Sequence, residues 1–277
     1  MSPYRQTTLS AEARIQGAGL HTGASATLVL KPAPADTGVV FLTQGERIPA
    51  TVEHAAPHAA RNTTLSSGGA TLHTVEHVLA ALSGMGVDNA FVELDAPEPP
   101  AMDGSALPLA RAIQSAGAAD LDKDADYLVI ERPVFVEDPG RAAAAALPHN
   151  GFRVTVFIGY DHPLCRTQSF DAEITPETFL ASCAPARTYG FIEEVDALRR
   201  AGLALGGSEQ NAVVIYPDRF SSGLRLDNEL AAHKALDMIG DLALAGRRLR
   251  GHFIGYRPGH ALNARLVRAI LESAARA

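Results

Sequence analysis

Two stretches carry side chains whose types and spacing suit metal chemistry. In the run from His233 to Gly246, the residues His233, Asp237 and Asp241 follow one another at intervals of four. On a helix that interval stacks side chains along one face. A His and an Asp one turn apart bring their ligand atoms close enough to share one metal ion. Two ligands from one helix make half of a zinc site, and a catalytic site needs a third from elsewhere. The same run places Leu236, Ile239, Ala243 and Leu244 at helical spacing on another face. A solvated polar face on an ordinary amphipathic helix is the simplest alternative. The apolar residues around the trio argue against it, and so does the second stretch.

That stretch, Thr74 to Gly84, reads as a helix with Thr74 as its N-cap and a polar pair, Glu76 and His77, near its start. Adjacent helical residues point about 100° apart. If His77 completes the metal site, Glu76 stands beside the site and not in it, where a general base for a water molecule belongs.

These helices need a framework to bring them together. With 277 residues, the chain has room for two ordinary domains or one large one. A hydrophobic content of 47% and a charged content of 20% fit a globular protein with a substantial core. The formal net charge of -7 argues against a protein that coats nucleic acid. It leaves room for an anionic small substrate in a local basic pocket. No apolar run is long enough to span a membrane, and the polar start shows no signal peptide. Cys165 and Cys183 have no metal-ligand spacing and suggest no disulfide framework. A cytoplasmic location is the default expectation.

Strand-like alternation runs through residues 13–16, 26–30 and 39–42, with a Gly-rich turn at 17–23 that contains His21. A loop over 54–69 precedes the Thr74 helix, and a strand over 88–94 follows it. Ser105 reads as a cap for a helix over 108–116. The polar run at 119–125 reads as the domain boundary. Beyond it come strands at 127–130, 134–136 and 152–158, an alanine run at 142–146 of no clear class, and a short helix at 176–181. A β-α-β excursion spans about 186–216. After the His233 helix come a strand at 253–256, a turn at 259–263 and a closing helix at 266–275. Each half thus has strands, a helix with an early His and a terminal Gly, then a strand and a last helix. The order suggests a duplicated α+β unit of residues 1–122 and 123–277.

Seven stretches carry a family pattern: residues 17–23 (GAGLHTG), 74–77 (TVEH), 102–105 (MDGS), 186–191 (ARTYGF), 205–208 (LGGS), 233–241 (HKALDMIGD) and 259–263 (GHALN). In this order they resemble the bacterial UDP-3-O-acyl-N-acetylglucosamine deacetylases, zinc amidases of lipid A biosynthesis. The resemblance implies an α+β fold of two similar sandwich domains packed face to face, with the active site between them. It implies Zn2+ held by His77, His233 and Asp237, with Glu76 as general base. His260 would be the cation facing the oxyanion, oriented by Asp241. Thr188 would hydrogen-bond the reacting group. Lys234, Tyr189 and His21 would contact substrate, and the β-α-β insert would form an acyl-chain passage. The implied partner is a UDP-linked acylated amino sugar, with no nucleic acid, transient contact with the inner membrane surface, and a monomeric state. Tyr189, Gln210, Leu226, Leu230, the loop over 59–69 and the short C-terminus depart from the pattern. None of them is an expected metal ligand. A zinc amidase acting on another N-acylated amino sugar and a non-enzymatic paralogue are the competing readings.

Overall fold

The structure, a computed structural model, describes residues 4–56 and 61–276. The first half runs β1 (Arg5–Leu9), β2 (Ala13–Ala18), β3 (Ser25–Pro32), β4 (Val39–Thr43), β5 (Glu46–Pro49), β6 (Leu65–Ser67), β7 (Ala70–Leu72), α1 (Glu76–Gly84), β8 (Ala90–Leu94), α2 (Leu107–Ala116) and β9 (Ala118–Asp124). The second runs β10 (Tyr127–Val129), β11 (Val134–Asp138), β12 (Ala142–Leu147), β13 (Phe152–Gly159), β14 (Thr167–Glu173), α3 (Pro176–Thr178), β15 (Tyr189–Phe191), α4 (Ile192–Arg200), β16 (Val213–Ile215), α5 (Glu229–Leu242), β17 (Arg248–Tyr256) and α6 (His260–Ala275). The fold is mixed α+β.

The two main sheets share one topology. The first is ordered β2-β3-β8-β4-β5, and the second β11-β12-β17-β13-β14 with β10 beside β17. In each, the strand after the site-bearing helix is central. β8 is antiparallel to β3 and parallel to β4. β17 is antiparallel to β12 and parallel to β13. Alternate residues of β3 and β8, including Leu28, Leu30, Val92 and Leu94, are buried on the helix side. Helices α1 and α5 pack against each other, α2 against α1, and α6 against α5.

Several boundaries differ from the sequence reading, for local reasons. The polar run at 119–125 is mostly strand β9, paired antiparallel with β1. Its aspartates suit an exposed edge, where Arg5 meets Asp122 and Asp124. The boundary expected at residues 122 and 123 falls inside β9, and we propose on the repeated topology that the halves divide between β9 and β10. The alanine run is strand β12. Ala144 and Ala146 are buried, and their small side chains let α6 lie close on that face. Thr74 is not the cap of α1. Val75 holds that position without a side-chain bond, while Thr74 has φ 58 and its hydroxyl donates to Glu98 Oε1 at 2.9 Å. Ala106 occupies the cap of α2, although Ser105 Oγ does accept from the Leu107 amide at 3.2 Å. The expected helix at 176–181 is α3 followed by a π turn over Phe179–Cys183. The loop over 54–69 contains the β6-β7 hairpin, and residues 57–60 of it lie outside the described residues. Helix α5 starts four residues before His233, because Leu230, Ala231 and Ala232 are also buried. It ends at Leu242, followed by a 3₁₀ turn and Gly246 in the left-handed region. The expected turn at 259–263 is the first turn of α6, with Gly259 extended at its cap.

The contact that sets the geometry is α1 on α5. Every α5 residue except Lys234 is buried. At Gly240 a Cβ would lie 2.1 Å from the backbone oxygen of Glu76 and 3.2 Å from the Ala80 amide nitrogen. A glycine here lets the two site-bearing helices touch backbone to backbone. The atoms in the way belong to backbone, so no rotamer change relieves the clash. Gly240→Ala should therefore destabilise the fold by about 1–3 kcal/mol, the usual range for overpacking. Urea unfolding of the two proteins measures this, and an unchanged midpoint would contradict the close-contact argument.

Candidate active site

α1 and α5 bring three ligand atoms together. One atom each from His77, His233 and Asp237 lie within 4.8 Å of one another. His77 Nε2 is 3.7 Å and His233 Nε2 is 3.5 Å from Asp237 Oδ1. The two imidazoles meet edge to face, with centroids 5.2 Å apart. His233 Nδ1 sits 3.1 Å from the Ala186 carbonyl, which fixes the proton on Nδ1 and leaves the Nε2 lone pair turned to the cluster. Burial holds both imidazoles neutral. It lowers His77 to about 3, with His233 as a second cause, and it lowers His233 as well. Neutral imidazoles and an ionised carboxylate are what a metal requires. Asp237 is held well below the usual carboxylate range, because His233, Lys234, His260 and His77 outweigh its burial. The donor set fits a divalent ion, and the solvated-face reading fails: His233, Asp237 and Asp241 are all buried.

A second cluster stands beside the first. Glu76 is buried, and one of its oxygens, Oε2, accepts from the Thr63 amide at 2.9 Å. Burial raises its pKa to about 7, helped by Asp237 and Asp241 and opposed by His260. Asp241 is enclosed by donors: His260 Nδ1 at 3.0 Å, Asn263 Nδ2 at 2.8 Å and the Thr63 hydroxyl. Burial disfavours the His260 cation. Asp241, by charge and hydrogen bond, then Glu76 and Asp237, overcome that and raise its pKa to about 9. Since Nδ1 faces Asp241, Nε2 is the nitrogen left for a ligand.

The remaining expected residues surround these clusters. Thr188 is held by its backbone, donating to Gly104 O and accepting from the Val213 amide, both at 2.8 Å. It lines a narrow cleft with His77, Leu20 and Thr74. The Tyr189 hydroxyl pairs with Tyr160 at 2.6 Å, and its ring packs edge-on against His233. Lys234 Nζ donates to Asp237 Oδ2 at 2.7 Å, which steers the free edge of that carboxylate. His21 lies in a turn fastened by Glu98, which accepts from the amides of His21 and Thr22. Its Nδ1 is buried with no partner among the described residues.

Some functional residues escaped the sequence reading. Arg187 makes a buried bidentate pair with Glu229, with contacts of 2.7 and 3.0 Å. The pair ties the first turn of α5 to the segment whose Ala186 carbonyl orients His233. Arg187 stood inside a quoted stretch, and so did Asn263, but neither spacing announced a partner. Thr63 stood in a loop and gave no signal at all.

A family model described as UDP-3-O-acyl N-acetylglycosamine deacetylase matches residues 6–272. Three proteins named UDP-3-O-acyl-N-acetylglucosamine deacetylase are similar to the chain. The one from Myxococcus xanthus (strain DK1622) is 45% identical over 278 residues, covering 98% of this chain and 87% of that protein. The one from Pseudomonas entomophila (strain L48) is 44% identical over 275 residues, covering 96% and 90%. The one from Syntrophus aciditrophicus (strain SB) is 42% identical over 274 residues, covering 97% and 87%.

The geometry predicts one tightly held divalent ion per chain. Metal analysis after gel filtration should find it in the native protein and not in His233→Ala. Added zinc should raise the melting temperature of the metal-stripped native chain and leave that variant unmoved. A variant that keeps a stoichiometric ion would remove His233 from the cluster.

Proposed function

The chain belongs to the UDP-3-O-acyl-N-acetylglucosamine deacetylase family, and on that premise we propose how its residues do the work. The reaction is hydrolysis of the N-acetyl group of UDP-3-O-acyl-N-acetylglucosamine in lipid A biosynthesis, giving acetate and a free amine. One observation carries the mechanistic reading: a His/His/Asp donor set with a buried carboxylate on one side and a His–Asp pair on the other. Two imidazoles and one carboxylate suit a catalytic zinc. Bound there, zinc polarises the amide carbonyl and makes water more acidic.

The protein's own groups supply the rest. Glu76 takes the proton of the attacking water, and its raised pKa suits a base that works near neutral pH. Negative charge then grows on the carbonyl oxygen, faced by Thr188 and by the His260 cation. Preorganised donors of this kind are worth about 3 kcal/mol each. The amine leaves protonated, the proton coming from His260 or Glu76. Lys234, Tyr189 and His21 form the substrate-facing rim of this reading.

The insert β15-α4-β16 is read as the acyl-chain passage. Phe191, Ile192, Val195 and Leu198 are each only partly buried, so they offer apolar surface that the fold itself leaves uncovered. No helix among the described residues is long and apolar enough to cross a membrane. Our reading is a cytoplasmic monomer that meets the membrane surface transiently. Exposed Leu203 and Leu205, in the loop between α4 and β16, support that contact.

Two measurements test the roles. Glu76→Gln should keep its metal and lose turnover by about a hundredfold or more in an acetate-release assay. Near-native turnover would remove Glu76 from the mechanism, and loss of the metal would make it a ligand. The alkaline limb of the pH profile should belong to His260, which is active when protonated. In Asp241→Asn the imidazolium loses the charge that holds its pKa up, so the limb should move to lower pH. An unmoved limb would assign it to another group.

A further inference from the structure

Thr63 touches both proton-transfer groups and lies on neither helix. It is buried, in the short segment that follows residue 60. Its carbonyl accepts from the Val75 amide at 3.2 Å, which holds the start of α1. Its own amide donates to Glu76 Oε2 at 2.9 Å. Its hydroxyl donates to Asp241 Oδ1, and the hydroxyl oxygen lies 3.2 Å from His260 Nδ1. A hydroxyl has one proton and spare lone pairs. With the proton on Asp241, a lone pair remains for the Nδ1–H of His260, which also reaches Asp241 Oδ2 at 3.0 Å. Among the described residues, Oδ1 of Asp241 accepts from no other group.

We propose that Thr63 is a positioning residue that fixes the His260–Asp241 pair relative to Glu76, so that one segment of the first half sets the distance between the proton acceptor and the cation of the second. The inference rests on the roles read above for Glu76 and His260. The Thr63 backbone locks the base, and the Thr63 hydroxyl stops the Asp241 carboxylate from turning. An unturned carboxylate keeps the imidazole ring aimed. Its backbone bonds are made by any residue, so the hydroxyl is the part a substitution can isolate.

The experiment compares Thr63→Val, which keeps the shape and loses the hydroxyl, with Thr63→Ser, which keeps the hydroxyl. Acetate release from UDP-3-O-acyl-N-acetylglucosamine, bound metal and melting temperature are measured for each. The Val variant should lose kcat by about 10- to 100-fold, the range found for residues that orient the ligands of a metal site, with KM and metal content unchanged. The Ser variant should recover most of that loss. In a His260→Ala background, Thr63→Val should add almost nothing, because the two act as one unit. Native-like kcat in the Val variant, a Ser variant as slow as Val, or a full further loss in the His260→Ala background would each overturn the proposal. So would loss of the metal or a much lower melting temperature in the Val variant, which would make the hydroxyl structural. Absence of deacetylation in the native chain would instead strike the functional reading itself.

Discussion

Everything at this site depends on two helices from different halves touching at backbone distance. The chain can achieve this only because position 240 has no side chain where α5 meets the backbone of Glu76. Helices that pack through side chains are usually 8–10 Å apart at their axes. His233 shares α5 with Asp237, so it is His77 on α1 that must cross this contact to come within 3.7 Å of Asp237 Oδ1. The same close contact seals Glu76 from water, and burial is the first cause of its raised pKa. Packing and proton chemistry are thus one feature, seen from two sides.

Charge balance explains why the site tolerates so many buried ionisable groups. Glu76, Asp237 and Asp241 offer three negative charges when ionised, against the cations Lys234 and His260. The sum is one net negative charge, which a divalent ion turns into one net positive charge. A site with that balance welcomes one unit of negative charge on a reacting oxygen. Burying these carboxylates without partners would cost several kcal/mol each. Each has one: Lys234 on Asp237, His260 and Asn263 on Asp241, and the Thr63 amide on Glu76.

The legible part of the site is its local part. His233 and Asp237 are four residues apart, and helical periodicity alone puts them on one face. The repeated order of strands and helices made the duplicated topology legible too, because alternation and Gly-bounded helices are read within short windows. Thr63 was illegible because its partners Asp241 and His260 lie 178 and 197 residues away. Thr74 misled for a related reason. A threonine before a helix reads as a cap, but Glu98 recruits its hydroxyl from a distant loop. The early start of α6 was hidden by a Gly-His pair that reads as a turn.

The central claim is that one metal ion sits between the halves, held by both site-bearing helices, with the base beside it. Anomalous diffraction at the zinc edge from crystals of the zinc-loaded protein tests it most directly. The account predicts one peak, shared by His77 Nε2, His233 Nε2 and Asp237, with Glu76 outside its coordination and His260 still on Asp241. A peak elsewhere, or one in which Glu76 or Asp241 replaces a member of the trio, would contradict it.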